Sequence, residues 1–181
     1  MKKRNKLISI LLALILYLAV LPASAETNAN ALLKSIDRLG RKGWVLNASF
    51  AARSDTIDVV IDELGEADSS DYVASAKGTY YTYGKEKLVF GVNKGEQIFE
   101  IRSFDARLSK IKLTDVTKYF GEPDHLTRSK TELFISYRVT KDLNVKFVFP
   151  RKGKNPAISH YCVFYPAGTV NMMADDPGRK W

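Results

Sequence analysis

Cysteine and histidine are scarce in this chain: 181 residues hold one cysteine, Cys162, and two histidines, His125 and His160. A lone cysteine excludes any disulfide within the chain, so stability must come from a hydrophobic core. About 150 residues bury enough surface for that. The thin supply of cysteine and histidine offers no clustered zinc ligands. The densest acidic stretches, Asp68-Ser69-Ser70-Asp71 and Asp175-Asp176, do not follow the spacing of a calcium loop and read as turns and caps. No metal site and no cofactor is expected.

Nucleophilic catalysis is poorly provided for. His160 and Cys162 are two apart, hence on one face of a regular strand, but about 6.5–7 Å apart at the backbone. A thiol–imidazole dyad needs hydrogen-bond reach. Cys162 lies in an apolar, strand-like run and reads as a small buried hydrophobe. Paired carboxylates can be drawn from 20 acidic residues, yet nothing in their order selects a pair. No catalytic residue is assigned.

The first 25 residues read as a leader. Lys2, Lys3, Arg4 and Lys6 form a cationic start, and Leu7–Leu21 is apolar apart from Ser9. Pro22 follows, and Ala23-Ser24-Ala25 supplies small residues for cleavage after Ala25. Fifteen residues fall short of the roughly 20 that span a bilayer, and no cysteine marks a lipoprotein. A secreted, extracellular or cell-wall-associated protein is expected, with no membrane span after cleavage. The leader carries four of the 28 basic residues and none of the acidic ones, so the formal +8 falls to +4. That charge favours solubility. It is not gathered into a stripe, so no nucleic-acid partner is expected.

What the chain does contain is one element written twice. Thr56–Asp68 reads TIDVVIDELGEAD and Lys112–Asp124 reads KLTDVTKYFGEPD, 56 residues apart. Recurrence of this kind points to a duplicated unit. In the first copy Ser54-Asp55 offers an N-cap, and Ile57, Val60, Ile61 and Leu64 form the stripe of a two-turn helix. Gly65 stops it. Thr79–Tyr83, Leu88–Val92 and Gln97–Phe104 come next as strands, after a loop over Asp68–Gly78. In the second copy a helix starts at Thr114 or Asp115 with Val116, Tyr119 and Phe120 inward. It ends at Gly121 and Pro123, and Leu133–Val139, Asn144–Phe149 and Ile158–Tyr165 are its strands. Glu66-x-Asp68 and Glu122-x-Asp124 read as structural, with the aspartates bonding local backbone.

Ahead of the repeats, Ala31–Leu39 places Leu32, Leu33, Ile36 and Leu39 on one helical stripe. Trp44–Phe50 is a short strand or irregular segment with Trp44, Leu46 and Phe50 as core contacts. The organisation is therefore leader 1–25, N-terminal helix and entry 26–53, repeat one 54–108, repeat two 109–166 and tail 167–181. The expected fold class is α+β: a tandem duplication of a helix plus three-stranded meander, joined into one continuous six-stranded sheet with helices on one face.

Three stretches carry a resemblance: VASAKGTYYTYGKEKLVFGVNKGEQIFEIRSFDARLSKI, the second GEPD, and the terminal FYPAGTVNMMADDPGRKW. Over roughly Leu32 to Trp181 the chain resembles the YjgB-like family, small secreted proteins of Gram-positive, spore-forming bacteria built on a domain of unknown function. Ala67 departs from the pattern where the second repeat has Pro123. The resemblance implies compartment and fold and supplies no site. At fold level the unit is similar to tandem-repeat beta-lactamase inhibitor proteins and to small outer-membrane assembly lipoproteins, both of which act by protein–protein contact. That is an analogy of architecture.

Strand aromatics give the last clue, because alternation prevents all of them from facing the helices. With Leu133, Ile135 and Tyr137 inward, Phe134, Ser136 and Arg138 point out. With Phe99 and Ile101 inward, Glu100 and Arg102 point out. Aromatic and arginine residues on an open sheet face suit protein recognition; the equal alternative is that the N-terminal helix or the tail, with Trp181 folded back onto the body, covers this face. The expected function is a non-enzymatic binding module that meets an unknown macromolecule, a secreted or cell-wall protein, through Glu100, Arg102, Phe134, Arg138 and Lys146. The alternatives are a secreted hydrolase or wall-modifying enzyme using unidentified carboxylates, and a structural protein held at the wall by its charge.

Overall fold

The computed structural model describes residues 23–181, so the apolar run of the leader lies outside the described residues. Three helices, α1 (Ala23–Gly40), α2 (Ile57–Leu64) and α3 (Leu113–Phe120), accompany eight strands. These are β1 (Ser69–Val73), β2 (Gly78–Tyr83), β3 (Leu88–Val92), β4 (Ile98–Ser103), β5 (His125–Arg128), β6 (Glu132–Arg138), β7 (Asn144–Pro150) and β8 (His160–Phe164). They form one sheet in the order β1-β2-β3-β4-β8-β7-β6-β5, antiparallel throughout. The fold is α+β, with the helices packed on one face. None of the described helices is long and apolar enough to cross a membrane.

The continuous sheet has eight strands, not six. The extra pair, β1 and β5, form its two edges, and β1 occupies part of the stretch read as a loop. All five residues of β1 are exposed, and so are Leu126, Thr127 and Arg128 of β5. With neither face buried, no period-two alternation marks them in the sequence.

The two halves make matching contacts. Thr56 bridges Gln97 just before α2, and Lys112 bridges Ala157 just before α3. The Ile57 N–H donates to the Glu96 carbonyl (3.0 Å), and the Leu113 N–H to that of Pro156 (2.9 Å). Both helices thus begin on a strand turn. No Ser54 or Asp55 cap serves α2, whose N-cap is Thr56 and makes no side-chain bond; Asp55 instead accepts from the Ala51 N–H. Helix α3 begins at Leu113, with Asp115 accepting from the Lys112 N–H (2.8 Å). Each helix ends on a glycine at φ near +82°, Gly65 and Gly121, a region that disfavours other residues.

The glycine-to-aspartate elements also match. Asp68 accepts from the Gly84 N–H (2.6 Å) and Asp124 from the Arg138 N–H (2.7 Å). Tyr83 donates its hydroxyl to the Gly65 carbonyl and Tyr137 to that of Gly121. The aspartates are structural, but they clasp backbone at the far end of the next long strand instead of their own turn.

Between helices and sheet lies the main core. Leu33 and Ile36 of α1, Ile57 and Val60 of α2 and Val116 of α3 meet Phe90, Ile101, Ile135, Tyr137, Phe147, Tyr161 and Val163. Phe50 joins them, Leu46 packs at the margin and Trp44 stays half-buried. The entry segment is irregular, with only a Val45–Ala48 bridge.

One face assignment is corrected. Opposite β3, Gly91 pairs with Glu100 and Val92 with Ile98, so Phe99 is the extra residue of a bulge. Phe99 therefore joins Tyr80 and Phe164 in a small cluster on the helix-free face, while Ile98 and Ile101 enter the main core.

Candidate functional site

Register on the helix-free face dictates which side chains meet. Reading across paired strands, Arg102 of β4 lies opposite Cys162 of β8, then come Lys146 of β7, Ser136 of β6 and His125 of β5. Five strands at roughly 4.8 Å spacing make this row about 19 Å long. On one flank Glu100, Phe164, Asn144 and Arg138 form a parallel row. On the other are Thr127, Phe134, Val148 and His160.

The C-terminal tail lies over this face. Its course is set by Gly178 at φ +73°, where a Cβ would stand 2.6 Å from Thr169 Oγ1. Lys77 pairs with Asp176, and the Lys180 carbonyl accepts from Asn144 Nδ2 (3.2 Å). Arg179 then reaches the sheet. Its Nη1 donates to Glu100 Oε2 (3.0 Å), to the Tyr80 hydroxyl (3.1 Å) and to the Ala76 carbonyl (3.2 Å). The Trp181 ring stacks on His125 at 5.2 Å, and the Arg138 guanidinium lies over the same ring.

Glu100 is the electrostatic hub, with 2% of its surface exposed. Its Oε1 accepts from Arg102 Nε (2.9 Å), and its Oε2 accepts from Arg179 and from the Tyr80 hydroxyl (2.9 Å). Burial pushes its carboxyl pKa up, but Lys146, Arg102 and Arg179 outweigh burial and hold it well below the usual range. Burial and the Glu100 charge push the Tyr80 phenol up, so it stays a donor.

Beside this hub is a concavity of about 500 Å³. Phe134, Val148, Trp181 and Val73 supply apolar wall, and Ser136, Lys146, Cys162, His160, Arg102 and Glu100 supply polar floor. Val73 and Ala76 border it from one sheet edge and His125 and Thr127 from the other, so the sheet curls around its open face. Ser136 is 2% exposed, and its hydroxyl has no hydrogen-bond partner among the described residues. Lys146 holds its ammonium 4.2 Å above the Phe164 ring and makes no hydrogen bond or ion pair among the described residues.

His160 and Cys162 share this face but are poorly matched chemically. Burial, then Arg102, lowers the His160 pKa to about 4. Burial, then Glu100, raises the Cys162 thiol to about 12. Moving a proton from the thiol to the imidazole costs on the order of 10 kcal/mol. His160 instead stacks on Phe104 at 4.7 Å. Among the described residues no group of His, Cys, Asp and Glu is arranged to hold a metal ion.

Of the five residues chosen from sequence, Glu100, Arg102, Phe134 and Lys146 line the concavity. Arg138 stands outside it and steadies Trp181. Glu100 is buried under Arg179 and does not present itself to a docking partner. Sequence reasoning placed Ser136 on this face without choosing it, held a covering tail with Trp181 folded back as the alternative to an open face, and did not single out Arg179. The tail has no periodicity, so its course over the sheet and the position of Arg179 left no mark in the sequence pattern.

Comparison with known proteins now fixes the lineage. A family model described as a domain of unknown function, DUF4309, matches residues 33–164. The chain belongs to the DUF4309 family. A crystal structure of a DUF4309 family protein, YjgB from Bacillus subtilis subsp. subtilis strain 168, is similar with a TM-score of 0.61 at 19% identity. The similarity covers 77% of this chain and 99% of that one. No curated protein matches the sequence. The family match ends at Phe164, so Arg179 and Trp181, which close the concavity, lie beyond the DUF4309 region.

Proposed function

We propose that this DUF4309 protein is an exported, non-enzymatic binding module, two copies of one helix-and-meander unit, that engages its partner in the concavity of the helix-free face. The observation that carries this reading is the concavity itself: a curled sheet, an apolar wall, and a buried hydroxyl and an ammonium unpaired among the described residues. Pockets of roughly 300–1,000 Å³ with a few convergent polar groups on apolar walls are typical ligand sites. The tail narrows the open face to this concavity, so a broad, flat docking surface is not what the geometry supports. A partner must reach in.

Chemical conversion of the ligand is poorly supported. A general acid needs a carboxyl of raised pKa, whereas Glu100 is pinned as a carboxylate by three cations. Export rests on the leader reading, and the repeat relation rests on the matched contacts of the two halves.

The test is native mass spectrometry of the protein recovered from culture medium. We expect a chain beginning at Glu26 and carrying an adduct, and loss of that adduct in Val148→Trp, which fills the concavity. Identical adduct-free spectra for both would overturn the binding reading, and retention of the leader inside the cell would overturn export.

A further inference from the structure

We infer that the concavity selects a small amphipathic monocarboxylate, with its carboxylate between Ser136 and Lys146 and its apolar body against Phe134, Val148 and Trp181. This rests on the binding reading above and gives it a ligand class.

Three cations, Lys146, Arg102 and Arg179, surround one buried carboxylate, Glu100. Both Glu100 oxygens are taken, Oε1 by Arg102 and Oε2 by Arg179 and Tyr80. By charge alone Lys146 acts on Glu100 more strongly than either arginine, yet it makes no hydrogen bond or ion pair among the described residues. Partly buried positive charge without a direct counter-ion favours an incoming anion.

Ser136 supplies the neutral donor. It pairs directly with Lys146 across β6 and β7, so their side chains rise side by side from one face. Its orphaned hydroxyl is 2% exposed and lines the concavity. A buried polar group without a partner destabilises a fold, and one acceptor oxygen from a ligand removes that penalty. A carboxylate offers two acceptor oxygens, one for Ser136 Oγ and one for Lys146 Nζ.

Two features limit the ligand's charge and shape. Glu132 also borders the concavity and repels a ligand with further negative charge, which favours a monoanion over a phosphate ester. The remaining wall, Phe134, Val148 and the Trp181 indole, offers no charge to a second polar end. An acyl or aryl carboxylic acid fits, and so does the apolar C-terminal residue of a short peptide. Both present the same carboxylate beside an apolar group.

Decanoate and decanol, titrated by calorimetry against the full mature chain, isolate the carboxylate; N-acetyl-leucine, with N-acetyl-leucinamide as control, represents the peptide terminus. Decanoate should bind at least about tenfold tighter than decanol. Ser136→Ala and Lys146→Gln should each weaken decanoate about tenfold and leave decanol within about twofold. Ser136→Ala should unfold at the same or higher denaturant concentration, because it removes an orphaned hydroxyl; a purely structural serine would show the opposite. If N-acetyl-leucine outcompetes decanoate, the source is a peptide end; the reverse order assigns a free acid. Equal binding of decanoate and decanol overturns the carboxylate inference while leaving the concavity a binding site. Failure of every probe also overturns the inference, and the adduct experiment then judges the binding reading by itself.

Discussion

Replacing Glu100 with glutamine keeps its shape and removes its charge, leaving Arg102, Arg179 and Lys146 without the carboxylate between them. Breaking a buried ion pair by removing one partner costs roughly 3–5 kcal/mol. The Arg102 and Arg179 side chains keep 31% and 19% exposure, so water partly compensates them and the lower end, about 3 kcal/mol, applies. The pH dependence supplies a second signature. Glu100 has a folded-state pKa depressed below its ordinary 4.5, so its stabilisation is complete above that value. It is lost as pH falls toward the folded pKa, because the unfolded chain binds the proton first. Urea denaturation of Glu100→Gln against wild type should therefore show the full gap at pH 6–7 and a shrinking gap below about pH 4.5. His160 titrates near this window and its pKa is raised by the Glu100 charge, so the comparison is made in a His160→Asn background, where this contribution is absent from both proteins. A gap under about 1 kcal/mol, or one that does not change with pH, would refute the account of Glu100 as the charged hub of this face.

Gly178→Ala should unhook the tail, since the position is at φ +73° and a Cβ would meet Thr169; in a Trp44→Phe background, acrylamide should then quench Trp181 more strongly, and unchanged quenching would count against the strap. His160 should titrate by NMR at about pH 4. Its folded pKa lies below its ordinary 6.5, so stability falls as pH drops from about 6.5 to about 4; a midpoint above 6 contradicts its burial. Cys162, with its thiol raised to about 12, should react with a disulfide reagent at least about 100-fold slower folded than in urea, and comparable rates would show the floor of the concavity to be open. Asp68→Ala and Asp124→Ala should each cost about 1–2 kcal/mol through the lost clasp, with additive effects in the double variant because they belong to opposite halves; a cost for one aspartate alone would break the correspondence.

Strands buried on one side were legible in the sequence, and strands exposed on both sides were not. On β6 the pattern of Ile135 and Tyr137 against Phe134 and Ser136 sorted core from open face correctly. Strands β1 and β5 escaped notice because an exposed edge leaves no such imprint. Phe99 was assigned to the wrong side because a single inserted residue opposite Gly91/Val92 reverses the alternation of faces along β4. Four of the five chosen surface residues line the concavity, since composition and alternation mark an open face. Their relation to Arg179 and Trp181 is a long-range contact of an aperiodic tail, and no local rule reports it. The leader's cationic start and apolar run lie outside the described residues, so the structure adds nothing to that reading.

The central row sets chemically different residues at the positions that the matched contacts of the two halves align. From one edge to the other it runs Ser69, Thr82, Val89, Arg102, Cys162, Lys146, Ser136, His125. The matched contacts of the two halves make Ser69 correspond to His125, Thr82 to Ser136, Val89 to Lys146 and Arg102 to Cys162. Arg102 and Cys162 are also paired with each other, so the two halves meet at this pair. Matched positions therefore carry different chemistry: valine where the other half has Lys146, which makes no hydrogen bond or ion pair among the described residues, and arginine facing a thiol where the halves meet. Over the first half the bulged Phe99, with Tyr80 and Phe164, fills the space above the sheet, and Arg179 seals Glu100 beneath the tail. Over the second half the space above Ser136 and Lys146 is open among the described residues, and that is where the concavity lies, with Trp181 in its wall. The open volume thus lies over the second half, and the tail borders it with Trp181 while Arg179 covers Glu100 of the first. Transplanting the pair, with Thr82→Ser and Val89→Lys, should create no second carboxylate site, because Phe99 and the tail already occupy the volume; a doubled stoichiometry for decanoate in that variant would show that packing over the first half does not exclude ligand.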